Sequence, residues 1–170
     1  MRRLFLVFLI GIATPFIVLG VCGTLGYLPV RATSSPSKIE SMIATRSVDA
    51  RIAREAKGLK NPLKPTDATL LAGMKLYRND CAGCHGLSGK PSDWGTKNFY
   101  PPVPQFADEL PDMKDSEMFL IVKHGIRYTG MGGWDGMMKD EEIWSVVTFL
   151  SRLGSLPPAV ARIWTGGSRG

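Results

Sequence analysis

Histidine is scarce: the 170 residues contain two, His85 and His124. That leaves little for histidine-based acid–base work near neutral pH. Cysteine numbers three, an odd count. Cys81 and Cys84 stand close together and Cys22 lies in an apolar stretch, so no further pair remains for a disulfide framework. No second Cys-x-x-Cys, phosphate loop, paired carboxylates or Ser-His-Asp set appears. The common hydrolytic and phosphoryl-transfer motifs are therefore missing. No segment requires a strand, and no internal repeat is visible. Charge is absent altogether from Leu4 to Val30.

That uncharged run is long enough to matter. At 1.5 Å per residue, its 27 residues make about 40 Å of helix, against about 30 Å of hydrocarbon. Residues 1–31 are read as a transmembrane signal-anchor, with Pro15 a potential kink. The competing reading is a cleaved signal peptide, with "VRA" before Thr33 as the cleavage site. Positive charges stand on both sides of the run, so they do not orient it.

The net charge of +6 is unevenly placed. Residues 1–65 hold ten Lys/Arg against three Asp/Glu, whereas residues 66–155 hold nine against twelve. The basic excess thus lies outside the central region, which argues against nucleic-acid binding. Residues 32–65 read as a basic linker, containing a helix in "SVDARIAREAKG". Its cations are either solvated or rest on anionic lipid or an acidic partner.

Within 66–155, Thr66 or Asp67 can cap a helix running to about Asp80, with Leu70, Leu71, Met74 and Tyr77 on its apolar face. "DSEMFLIVKHG" and "KDEEIWSVVTFLSRLG" are two further helices, acidic at their starts and stopped by glycine. From Gly86 to Pro111 the chain has little period, and a loop of that length needs something to pack on. Residues 156–170 are read as a tail. The expected architecture is three or four helices joined by long loops around a central object.

"YRNDCAGCHG" supplies that object. Zinc prefers four ligands, and adjacent Cys84 and His85 are an unusual pair. A redox dithiol wants strand–helix context, which is missing here. Covalent haem attachment matches the spacing itself. Positions i, i+3 and i+4 share one helical face, so Cys81 and Cys84 reach two vinyl groups while His85 reaches the iron.

At this point the chain resembles the class I c-type cytochromes, in their single-haem, membrane-anchored bacterial form. The likeness covers 66–155 and rests on "GMKLYRNDCAGCHG", "YPPVP", "IVKHGIRYTGM" and "IWSVVTFL". It implies an all-α class I cytochrome c fold with one covalent haem c, preceded here by one transmembrane helix. It implies a first helix, with Gly73 and Tyr77, crossing the last helix near Trp144 or Phe149. It implies a methionine as second axial ligand, and Met131 in "TGM" matches that position, with Met137 and Met138 as alternatives. Relatives often follow this methionine with proline; Gly132 and Gly133 stand here instead. His124 matches a helix end, not a ligand. A carbonyl from Pro101–Pro104 is expected to accept the other His85 ring proton. Trp94, Tyr100, Phe106 and Trp134 are expected to pack on the haem.

The resemblance assigns Cys81, Cys84, His85 and Met131 to the cofactor and His85 and Met131 to its iron. It implies an electron carrier and not an enzyme, with both axial positions filled and no small-molecule substrate or nucleic acid. Its expected partners are the lipid bilayer and redox complexes of the same membrane: a quinol-oxidising donor and a terminal oxidase or photosynthetic reaction centre as acceptor. The alternative is a fixed cytochrome subunit of a larger oxidase or dehydrogenase; a haem sensor or peroxidase is a third. Haem attachment outside the cytoplasm implies a bacterial inner-membrane protein with its haem domain in the periplasm.

Overall fold

Large apolar side chains crowd the stretch from Leu4 to Val21, and the computed structural model places them in one helix without a core. Residues 2–28, 30–31, 34–106 and 109–166 are described. The chain divides into two compact units, Met1–Pro36 and Ser37–Gly170. In the first, α1 spans Arg2–Thr24 with Pro15 inside it and buries no residue. It is long and apolar enough to cross a membrane. A helix that is apolar all round is characteristic of a buried or membrane-embedded segment. The expected "VRA" cleavage site ends on Ala32 and Thr33, which lie outside the described residues.

The second unit is all-α, with no strand among its described residues. Its frame is the crossing of α3 (Asp67–Leu76) and α7 (Asp140–Ser151). Thr66 caps α3 by accepting from the Thr69 N–H at 3.2 Å, and Asp67 adds negative charge to the first turn. Leu70, Gly73 and Met74 are buried at helical spacing. Glu142 starts α7 by accepting from the Lys139 N–H at 2.8 Å. At the crossing, a Cβ on Gly73 would overlap the Ser145 carbonyl and meet the Phe149 side chain. Glycine is therefore required here for closeness of approach.

Tyr77 is the hub of the core. Its ring is fully buried, 5.8 Å from Phe149 and 5.7 Å from Trp164. Its hydroxyl donates to the Gly86 carbonyl at 2.7 Å. Burial pushes the phenol well above its ordinary range, so it remains a neutral donor. Of the two aromatics expected across the crossing, Phe149 meets Tyr77, whereas Trp144 stacks on Phe119 at 4.0 Å. That stack joins α7 to α6 (Asp115–His124), and Lys123 pairs with Asp140 at 2.7 Å beside it.

Three segments differ from expectation. The first helix does not continue regularly to Asp80; Tyr77–Cys81 form a widened π turn, closed by the Ala82 N–H on the Tyr77 carbonyl. Such a turn inserts one residue into a helix and re-aims the side chains beyond it. Second, the 32–65 linker holds α2 (Lys38–Glu55), capped by Ser37. Ile52, Ala56, Leu59 and Leu63 pack on the core. Asn61 donates to Asp115 at 2.8 Å and to Thr148 at 2.9 Å, pinning this stretch to α6 and α7. Third, the expected tail holds α8 (Pro158–Gly166), which buries Val160 and Trp164. Arg78 donates to the carbonyls of Ile163 and Trp164 at 2.7 and 3.0 Å, closing the end of α8.

Candidate functional site

The π turn delivers Cys81 to the start of α4 (Ala82–His85), a single turn that carries Cys84 and His85. All three side chains are half-buried. Burial, helped by the charges of Asp80 and Cys84, pushes the Cys81 thiol up to about 12. It is thus a protonated thiol at neutral pH, unlike the activated thiolates of redox dithiols. Neither cysteine is in a disulfide. Among the described residues, no three His, Cys, Asp or Glu side chains gather as a metal cluster. A closed four-ligand zinc site is therefore not formed around this turn.

His85 is held on two sides. Its Nδ1 lies 2.9 Å from the Pro104 carbonyl. An acceptor there selects the Nδ1–H tautomer and leaves Nε2 with a free lone pair. Burial lowers the imidazole pKa, and the Pro104 bond opposes that only in part, so the ring is neutral at neutral pH. The Phe106 ring lies parallel to it, 4.7 Å away and tilted by 2°. The Phe106 N–H also donates to the His85 carbonyl at 3.1 Å. Of the four residues Pro101–Pro104, Pro104 is the one that meets the histidine.

Gln105 completes this cradle. Its Nε2 donates to the carbonyls of Cys84 and Val103 at 2.9 and 2.8 Å. Its Oε1 accepts from the Ser92 N–H at 2.6 Å. Ser92 in turn caps α5 (Asp93–Lys97) and donates to Gly83. One amide side chain thus locks 83–85, 92 and 103 together. Nothing in the periodicity singles Gln105 out, because its partners are backbone groups distant in sequence. Gln105→Ala removes three bonds in a half-buried place and is expected to lower stability by about 2 kcal/mol. A denaturant melt of the purified protein checks it; an unchanged midpoint would refute the cradle's role.

The Met131 loop is stitched to the end of α6. The Met131 carbonyl accepts from Ile126 at 2.9 Å, and its N–H donates to Thr129 Oγ1 at 3.1 Å. Beyond it, Trp134 and Asp135 donate to the carbonyls of Val122 and Lys123 at 3.1 and 2.9 Å. On the other flank, Gly130 lies against the Phe99 ring with no room for a Cβ. Hydrogen bonds thus order the loop despite Gly132 and Gly133. Met131 and Met138 are both half-buried against the core, whereas Met137 is 75 % exposed. His124 is exposed at the end of α6. Trp94 is exposed and meets Phe99 edge-on at 5.7 Å. Trp134 and Phe106 pack against the core, and Tyr100 is half-buried.

Cys81, Ala82, Leu87, Phe106, Met131 and Trp134 are among the partly buried apolar residues packed against the core. The turn offers two thiols and one neutral imidazole nitrogen, and the loop after α6 offers a thioether, a donor set that fits a covalently attached haem.

A family model described as cytochrome c oxidase, cbb3-type, subunit III matches residues 68–150. No curated protein matches the chain. Among solved structures, a chain of the reducing HAO-like protein complex of Kuenenia stuttgartiensis is 25% identical, with a TM-score of 0.37. That match covers 56% of this chain and 47% of the other, so the chain spans about half of that relative.

Proposed function

From the premise that residues 68–150 are a class I c-type cytochrome domain, we propose a membrane-anchored carrier of single electrons between a quinol-oxidising complex and a terminal oxidase or photosynthetic reaction centre. The domain itself makes the protein a c-type cytochrome with an electron-carrying role and a covalent haem c. The observation that carries the fuller reading is the π turn and the helical turn after it, which bring together two thiols and an imidazole held by Pro104.

Cys81 and Cys84 would hold one haem through two thioethers, and His85 Nε2 and Met131 Sδ would bind its iron. When bound, haem c supplies a one-electron iron couple. The Pro104 carbonyl keeps the imidazole in the ligating tautomer and raises its basicity. With both side chains bound, the group would pass electrons without taking up a substrate. A thioether ligand shifts such a couple to higher potential. The helix α1 serves as anchor, with the amino terminus inside and residues 37–166 in the periplasm of a bacterial cell.

A second reading is favoured by the family description, which names an oxidase subunit: the chain is then a fixed subunit of a larger complex. Its glycine-bearing α1 would suit helix docking as well as lipid. Mild detergent extraction followed by sizing separates the two. A free carrier migrates alone, and a subunit migrates with a large complex at fixed stoichiometry.

The assignment of the site is tested by a redox titration of the purified protein followed optically. The expected result is one c-type haem per chain with a single one-electron wave. A colourless protein whose Cys81 and Cys84 both react with an alkylating reagent would overturn it.

A further inference from the structure

We propose that the outward face of α2 rests on an anionic lipid surface, so that the domain meets the membrane through this helix as well as through α1. The proposal builds on the reading of α1 as a membrane span.

The helix α2 has two unlike faces. Ser41, Val48, Ile52 and Ala56 lie on one side and are half-buried or buried; Ile52 and Ala56 pack on the core, and this face meets α6. Ile39, Met42 and Ile43 stand elsewhere on the helix at i, i+3 and i+4, and share a face. They are 67, 45 and 57 % exposed. Arg46 follows one turn later on the same face, and Arg54 lies two turns beyond that. A stripe of three large apolar side chains bordered by arginines is unfavourable against water. It suits a lipid interface, where the apolar groups enter the acyl boundary and the guanidinium groups reach the headgroups.

Two further observations select lipid as the occupant. The stripe occupies the first turns of α2, and only residues 25–36 separate that helix from α1. If α1 spans a bilayer, this stripe is the first part of the folded unit to meet the surface. Charge points the same way for the segment around α2. From Arg31 to Lys64 there are eight Lys/Arg against three Asp/Glu; α2 itself holds four against three, and Arg31, Lys57, Lys60 and Lys64 flank it. Residues 66–155 instead carry nine Lys/Arg against twelve Asp/Glu. An anionic surface therefore attracts the 31–64 segment that contains α2 and repels residues 66–155, which favours one orientation of the domain.

The test uses the full-length mature protein with Cys22→Ser, its haem attached, in nanodiscs of phosphatidylcholine alone or with about a third phosphatidylglycerol. A nitroxide is placed singly by Ile43→Cys, by Ile12→Cys in α1, or by Lys97→Cys on the exposed part of α5. The relative access of oxygen and of a water-soluble nickel complex is read at each. The Ile12 label reports the anchor alone and is expected to favour oxygen in both lipids. The Ile43 label is expected to shift several-fold toward oxygen when anionic lipid is present, while the Lys97 label stays with nickel. Adding Arg46→Glu and Arg54→Glu is expected to abolish the Ile43 shift.

If the Ile43 label remains nickel-accessible in anionic discs while the Ile12 label is buried, the proposal fails and the anchor stands. If the Ile12 label is water-accessible, the anchor fails, and the Ile43 label still decides whether α2 binds lipid. A third result, burial of the Ile43 label only when a partner redox complex is added, would assign the face to a protein and overturn the lipid contact.

Discussion

Gly73→Val is expected to leave the cytochrome domain largely unfolded at room temperature. The Cβ alone would sit inside the Ser145 carbonyl and against Phe149, both on α7. The obstacle is backbone, so no rotamer change relieves it. The helices α3 and α7 would have to separate along their contact, and that contact supports Leu70, Met74, Val146 and Phe149 together. Overpacking a tight core costs about 1–3 kcal/mol even where side chains can yield. Here the loss extends over a whole interface, against a typical total stability of about 5–15 kcal/mol. Gly73→Ala is the milder probe. It gains about 1 kcal/mol in helix propensity, yet a net loss is expected because the clash begins at the Cβ. Denaturant midpoints of the two variants, with haem attached, measure this. A Gly73→Ala protein as stable as the parent would show that the helices do not cross as described.

Met131→Ala is expected to keep the haem covalently bound while changing its chemistry. Cys81 and Cys84, the proposed attachment residues, lie on the π turn and on α4, away from the Met131 loop in the sequence. The sulfur–iron absorption band should disappear, and the vacated position should accept external ligands such as cyanide. The reduction potential should fall by at least about a tenth of the roughly 0.8 V span that axial ligands command. Met138→Ala is the matched comparison, since Met138 is also half-buried at the core edge. It should leave band and potential nearly unchanged. If instead Met138→Ala removes the band, the ligand is Met138 and the "TGM" match is misleading. A parent protein that already binds external ligands on partial reduction would favour a sensor or peroxidase.

Much of the fold was legible from residue order alone. The uncharged run became α1, and the acidic starts and apolar spacing of α6 and α7 located those helices to within a few residues. Gly73 and Tyr77 marked the crossing helix only through the family resemblance. The other features are local: they are written in spacing, caps and the absence of charge. The missed features are tertiary. The π turn before Cys81 leaves no trace in periodicity, because it adds only one residue. Gln105 acts on backbone carbonyls far away in sequence. The docking of 52–63 depends on Asn61 finding Asp115 and Thr148. The helix α8 did have a signal: Pro158 at a first helical position, then Val160 and Trp164 four apart.

With α2 held to the second unit, 12 residues, 25–36, join the end of α1 to that unit, in place of the 41, 25–65, that the expected linker would leave after α1. At about 3.5 Å per residue the fullest reach of that connection falls from roughly 140 Å to roughly 40 Å. If α1 anchors the chain in a bilayer, the smaller volume raises the effective concentration of the folded unit near the lipid. It also sets a ceiling: a docking port standing higher than that reach above the lipid is out of range.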